Sequence, residues 1–187
     1  MGQDTRDVVL IILDAYGGSL AGRTKLQKLS YFAGIMAGLD LGFQAHYYGP
    51  YSPIIEQAVG ELKSLGFVSE ETLGFGMVQN PFFGEVRRFD YQLTADGKTI
   101  VADLQRRIPQ ESERLFEIVS RIKGAGDPDY QGLSLAAKTY FILNRQGKPV
   151  TYSDLENEAK NFSWDLPSES VRTAVDFLAK LGLVEKK

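Results

Sequence analysis

Residues able to do chemistry gather in two short stretches of the chain, Gly22–Leu29 and His46–Ser52. In the first, Arg23, Lys25 and Lys28 form the densest basic cluster, and Lys25 and Lys28 lie one helical turn apart. Cations so placed could hold DNA phosphates or an acidic partner, with Tyr48 and Tyr51 of the second stretch adding hydroxyls nearby. The same lysines would also serve as a solvated helix face paired with local carboxylates, the tyrosines packing under the next helix. On the returning strand of a hairpin further along, Arg87 and Arg88 are additional phosphate candidates, and strand alternation sends one of them to each face.

Other chemistries find less support. Gly17-Gly18-Ser19-Leu20-Ala21-Gly22-Arg23-Thr24 fits the phosphate-binding loop G-x-x-x-x-G-K-[ST] except that Arg23 stands where the lysine should be. A bulkier, planar guanidinium does not replace that point charge, and the chain lacks the alternating strand–helix pattern of nucleotide-binding folds. His46 is the sole histidine and has no obvious set of fellow ligands, so it reads as a structural or surface residue. Cysteine is absent, which excludes disulfides, zinc ribbons and thiol catalysis. Trp164, with Phe162 and Leu166, reads as core between the last two helices, and Glu111, Glu113 and Glu117 as a solvated face. No catalytic constellation emerges, and no cofactor or metal is expected.

Charge argues against indiscriminate phosphate binding. The net charge is −3, with 10 Lys/Arg against 12 Asp/Glu over residues 1–107 and 11 against 12 over 108–187. Any DNA affinity would need a local patch. The longest apolar run, Val8–Leu13, is too short to span a bilayer, and the acidic start does not suit a secretory signal, so a soluble cytoplasmic protein is expected.

The elements that must position these residues follow from periodicity. Asp4–Tyr16 has helical spacing and is broken by Gly17-Gly18. A second helix follows Gly22-Arg23, with Thr24 as a candidate cap, and His46–Tyr48 reads as a short extended piece. Ser52 as N-cap and Pro53 at the first helical position open a third helix. Strands are expected from Phe67 and over Val86–Leu93, with Phe82 and Phe83 at the intervening tip and Thr94–Gly97 closing the hairpin. Helices over Lys98–Arg107 and Glu111–Lys123 precede a linker at Gly124–Asp129. Helices then cover Leu133–Asn144, Ser153–Asn161 and Ser168–Leu181.

Ala58–Val68 is echoed by Ala174–Val184, 116 positions on. Each copy reads as the back half of an amphipathic helix closed by glycine and followed by an apolar pair. Ser168 corresponds to Ser52, so both helices are expected to be serine-capped. Together these point to a mainly α (α+β) chain: a winged helix-turn-helix with a small hairpin wing over 1–107, a connecting helix and linker over 108–132, and a helix-turn-helix-like module without a full wing over 133–187.

Gly22-Arg23-Thr24-Lys25-Leu26-Gln27-Lys28-Leu29 followed by His46-Tyr47-Tyr48-Gly49-Pro50-Tyr51-Ser52 resembles the YwgA-like family of bacterial and archaeal proteins. Lys25–Leu29 and the Tyr-Gly-Pro turn are more distantly similar to the Panacea antitoxin domain. The first resemblance implies a winged-helix fold; the second implies neutralisation or delivery of a partner protein. Neither supplies a catalytic residue. The expected activity is therefore non-enzymatic regulation by binding, with double-stranded DNA or an acidic protein as partner and no membrane. DNA, bound through the N-terminal winged helix, is the first ligand to test. The third helix, bearing Glu56, Glu61 and Lys63, is acidic for a groove reader and motivates the alternative, an antitoxin-like or adaptor module with no nucleic-acid role. A homodimer would form through the wing tip or the Glu111–Lys123 helix.

Overall fold

The chain enters its first helix through Asp4, whose carboxylate accepts the Arg6 N–H at 2.9 Å and caps α1 (Thr5–Tyr16). Every residue from Val8 to Leu13 is buried, so α1 is surrounded on all sides, as a uniformly apolar helix must be. The computed structural model that defines this fold describes residues 4–77 and 85–185. Gly17 takes φ +120°, open to glycine and strained for other residues, and turns the chain into β1 (Ser19–Ala21). Thus the stretch resembling a phosphate-binding loop is preceded by a helix rather than a strand.

Gly22, rather than Thr24, occupies the N-cap of α2 (Arg23–Ala37), a second helix buried on most sides. Ser52 caps α3 (Pro53–Ser64) as expected, its Oγ accepting the Ile55 N–H at 3.1 Å. Between them, Gln44 and Tyr51 pair through a single antiparallel bridge, and the Gly49 N–H donates to the His46 carbonyl at 2.9 Å. His46–Tyr48 therefore lies in a tight turn, not in an extended piece.

β2 (Val68–Met77) and β3 (Glu85–Leu93) form the expected antiparallel pair, and β1 adds to the other side of β3. The register sets Leu20 opposite Tyr91 and Val68 opposite Leu93, so these four buried side chains line the inner face. Thr94 closes the base of the hairpin, its N–H donating to Phe67 O at 3.1 Å and its Oγ1 to Gly66 O at 2.7 Å. It also caps α4 (Ala95–Arg107), which starts ahead of Lys98, its Oγ1 accepting the Gly97 N–H at 3.0 Å. Phe82, Phe83 and the Arg87 side chain lie outside the described residues.

α5 (Pro109–Gly124) lays Leu115, Ile118, Val119 and Ile122 into the core, packing on α1, α2 and α4. Its apolar face is therefore covered inside the molecule instead of being offered to a second copy. α6 (Tyr130–Gln146), α7 (Tyr152–Lys160) and α8 (Ser168–Lys180) complete the chain. Ser168 is not a cap: Pro167 holds that position, and the Ser168 hydroxyl donates to Glu156 instead.

The two repeat ends have the same geometry. Phe67 N–H bonds Leu62 O at 3.0 Å across Gly66 at φ +76°, and Leu183 N–H bonds Leu178 O at 3.0 Å across Gly182 at φ +70°. This is the six-residue hydrogen-bonded helix ending that left-handed glycine permits. β2 follows the first copy; among the described residues no strand follows the second.

One core runs through both repeats. It joins α1, α2, α3, the sheet, α4 and α5 with Leu133, Ala136 and Ala137 of α6 and Ala174, Phe177 and Leu178 of α8. Phe32 and Phe177 meet edge to face at 5.9 Å between ring centres. A smaller cluster of Ile142, Leu155, Ala159, Trp164, Leu166 and Val171 sits under α7. The fold is thus mainly helical with a small three-stranded sheet. No helix among the described residues is long and apolar enough to cross a membrane.

Candidate partner-binding site

Successive residues of a helix advance by about 100°, so the cations at the start of α2 diverge. Arg23 lies 4.4 Å over the Phe89 ring and 3.3 Å from the Glu56 carboxylate on α3. Lys25, with its side chain only 15% exposed, lies over Tyr16 and 3.4 Å from Asp127. The Tyr16 hydroxyl donates to the same Asp127 oxygen at 2.7 Å, so the expected linker is fastened to α1 and α2. Lys28 is 2% exposed and its Nζ donates to the Pro50 carbonyl at 2.6 Å. Arg23, Lys25 and Lys28 therefore do not make one positive surface. They reach three different neighbours, and burial removes Lys28 from contact with any macromolecule.

The two signature stretches are instead brought together as a clamp. The Gln27 side-chain amide is buried and donates to Ser52 O at 3.0 Å while accepting the Ser52 N–H at 2.9 Å. It pairs with Ser52 as a neighbouring strand would. Ser52 Oγ donates to Leu41 O at 2.5 Å as well as capping α3. Burial first, and then the nearby Lys138, lower the Lys28 pKa to about 7. From the other side, the Trp164 indole N–H donates to the His46 carbonyl at 2.7 Å. The Trp164 ring is itself buried against Phe141 and Phe162.

Held this way, the turn displays a row of rings. Tyr47 meets Tyr48 at 4.9 Å, Tyr48 meets His46 at 6.5 Å, and His46 meets Tyr51 at 5.0 Å between centres. Tyr47 is 66% and Tyr48 62% exposed, and Ile54 on the first turn of α3 is exposed as well. Burial, followed by the neighbouring Glu56, raises the Tyr51 phenol pKa. Large aromatics left in water on a backbone fixed from behind are the composition of an interaction surface. Sequence reasoning singled out Tyr48 and Tyr51 but missed Tyr47, Gln27 and the reach of Trp164. The only signal for Gln27 was its place inside the signature.

The remaining charged candidates among the described residues have partners. Arg88 is exposed and bonds Asp90 at 2.7 Å, while Asp90 also accepts the Gly22 N–H at 3.0 Å. On α3, Gln57 bonds Glu61 at 2.8 Å and Lys63 bonds Glu70 at 2.5 Å. Among the described residues no group of His, Cys, Asp and Glu could hold a metal ion. No protein-family model matches the chain, and no curated protein matches it.

Proposed function

We propose that this chain is a non-enzymatic regulatory binding protein on a winged helix-turn-helix frame, recognising a protein partner through its His46–Tyr51 turn. The frame is supported by the order helix, strand, helix, helix, strand, strand, with the first strand added beside the third. The recognition surface rests on one observation: Arg23, Lys25 and Lys28 are engaged within the fold, whereas Tyr47 and Tyr48 face solvent on an anchored turn. A likeness to the YwgA-like proteins would support the winged-helix frame alone, and the more distant one to the Panacea antitoxin domain would place that partner among proteins.

The test is affinity purification from the native host with the parent chain and a Tyr47→Ala/Tyr48→Ala variant. A stoichiometric protein partner held by the parent and lost from the folded variant is the expected result. Recovery of DNA instead, or a partner retained by the variant, overturns the reading. In duplex titrations at low salt, salt-sensitive affinity abolished by replacing Arg23 and Lys25 in a folded variant would restore DNA as the ligand.

A further inference from the structure

Lys28 is an unusual choice for the position it fills. Its ammonium nitrogen is buried, and the Pro50 carbonyl is its one hydrogen-bond partner among the described residues. A lysine elsewhere in this core would be expected to find a carboxylate, since an unpaired buried charge is strongly disfavoured. Here the charged neighbour is another lysine. The stems of Lys28 and Lys138 converge beneath the turn at Gly49, where an added Cβ would lie 3.5 Å from Lys28 Cε and 3.0 Å from Lys138 Cγ. Gly49 has φ +94°, so the tight approach and the left-handed backbone both call for glycine.

We propose that Lys28 is a proton-linked latch for the aromatic turn: as a neutral amine it holds Pro50 and seats the turn on α2, and its protonation favours release. This rests on reading the turn as the recognition surface, and it assigns that surface a regulator. The neutral amine donates one N–H to Pro50 O and is otherwise content in an apolar setting. Protonation takes up one proton from water, adds a third N–H, and places a full charge beside Lys138. Lys138 on α6 is the charged group that acts on Lys28, and Asp165, in the α7–α8 connection, acts in turn on Lys138; the turn itself carries His46, Tyr47, Tyr48 and Tyr51. Asp165 offsets Lys138 in part, while burial outweighs it.

The direction with pH follows from linkage. Seated, Lys28 titrates near 7; released into water it returns toward its ordinary value of 10.5. The released state therefore binds the proton more tightly between those values, and falling pH favours release by about tenfold per pH unit. Below about 7 both states are protonated and the dependence levels off.

Hydrogen exchange on the intact chain tests this without a partner. Protection of the Gly49, Tyr51 and Ser52 amides should fall about tenfold per pH unit from pH 9 to pH 7, after correction for intrinsic rates. It should be flat in Lys28→Met and unchanged in slope in His46→Gln. The same amides should be less protected than those of Val9 to Ile12 in α1, which open only with the whole molecule. Protection independent of pH in the parent chain, or equal to that of α1, overturns the latch. So does a slope that survives in Lys28→Met. Because no partner is involved, failure here leaves the interaction surface standing, and failure to capture a partner leaves the latch standing.

Discussion

At the scale of single residues, the dipeptide Gln27-Lys28 does more to define the molecule than any surface charge. Replacing Gln27 by Leu leaves the Ser52 N–H buried and unpaired, while the Ser52 carbonyl keeps the Glu56 N–H at 3.2 Å, and should destabilise the fold by about 1–3 kcal/mol in urea unfolding. Lys28 gives stability a pH dependence of definite sign. Its folded pKa, about 7, is below its unfolded value, so the unfolded chain binds the extra proton between about 7 and 10.5. Stability then rises with pH across that window, and the chain should be about 2–3 kcal/mol less stable at pH 7 than at pH 9 from this residue alone. That difference should vanish in Lys28→Met, again read by urea unfolding. The sequence made both residues conspicuous, but it read Lys28 as a surface cation and gave Gln27 no role. Spacing tells which side chains share a helix face; it does not tell what lies against that face, and the carbonyl that meets Lys28 belongs to Pro50, 22 positions on.

Elements were more legible than residues, because helix periodicity and capping are local. Ser52 and Pro53 opened α3 as their chemistry requires, and the twin glycine endings appear in the structure with matching hydrogen bonds. β1 escaped notice because three residues cannot display alternation; only its pairing with β3 defines it. The cap at Thr94 was missed for a related reason, since turn residues and helix caps draw on the same side chains. Two glycines separate the roles that backbone can impose. Gly60 is exposed within α3 and has nothing within 4 Å of an added Cβ, so Gly60→Ala should raise stability by about 0.5–1 kcal/mol. At Gly97 an added Cβ would lie 2.1 Å from the Phe67 carbonyl oxygen, a backbone atom that cannot swing aside. Gly97→Ala should therefore destabilise by more than about 2 kcal/mol, seen as a lower thermal midpoint.

For the whole molecule, the repeat suggested two modules and the packing joins them. α6 lies on α2 and α8, and Phe177 reaches Phe32, so the later helices complete a core that the earlier ones begin. Periodicity found both halves; it could not reveal that their apolar faces meet, because that is a relation between distant segments. Trp164, the chain's one tryptophan, reports on the later half. Its fluorescence and the far-ultraviolet helix signal should therefore lose structure at the same urea concentration. Separate transitions would mean that the halves are independent after all.

This shared packing also sets an order on synthesis. α1 to α5 leave the ribosome first, yet the face of α2 around Phe32 stays uncovered until α6 and α8 have followed. For that interval the nascent chain carries an apolar surface that only its own later segments can close. A stalled or prematurely terminated translation product ending near the α5–α6 connection would thus be a substrate for chaperones and proteases rather than a smaller working protein.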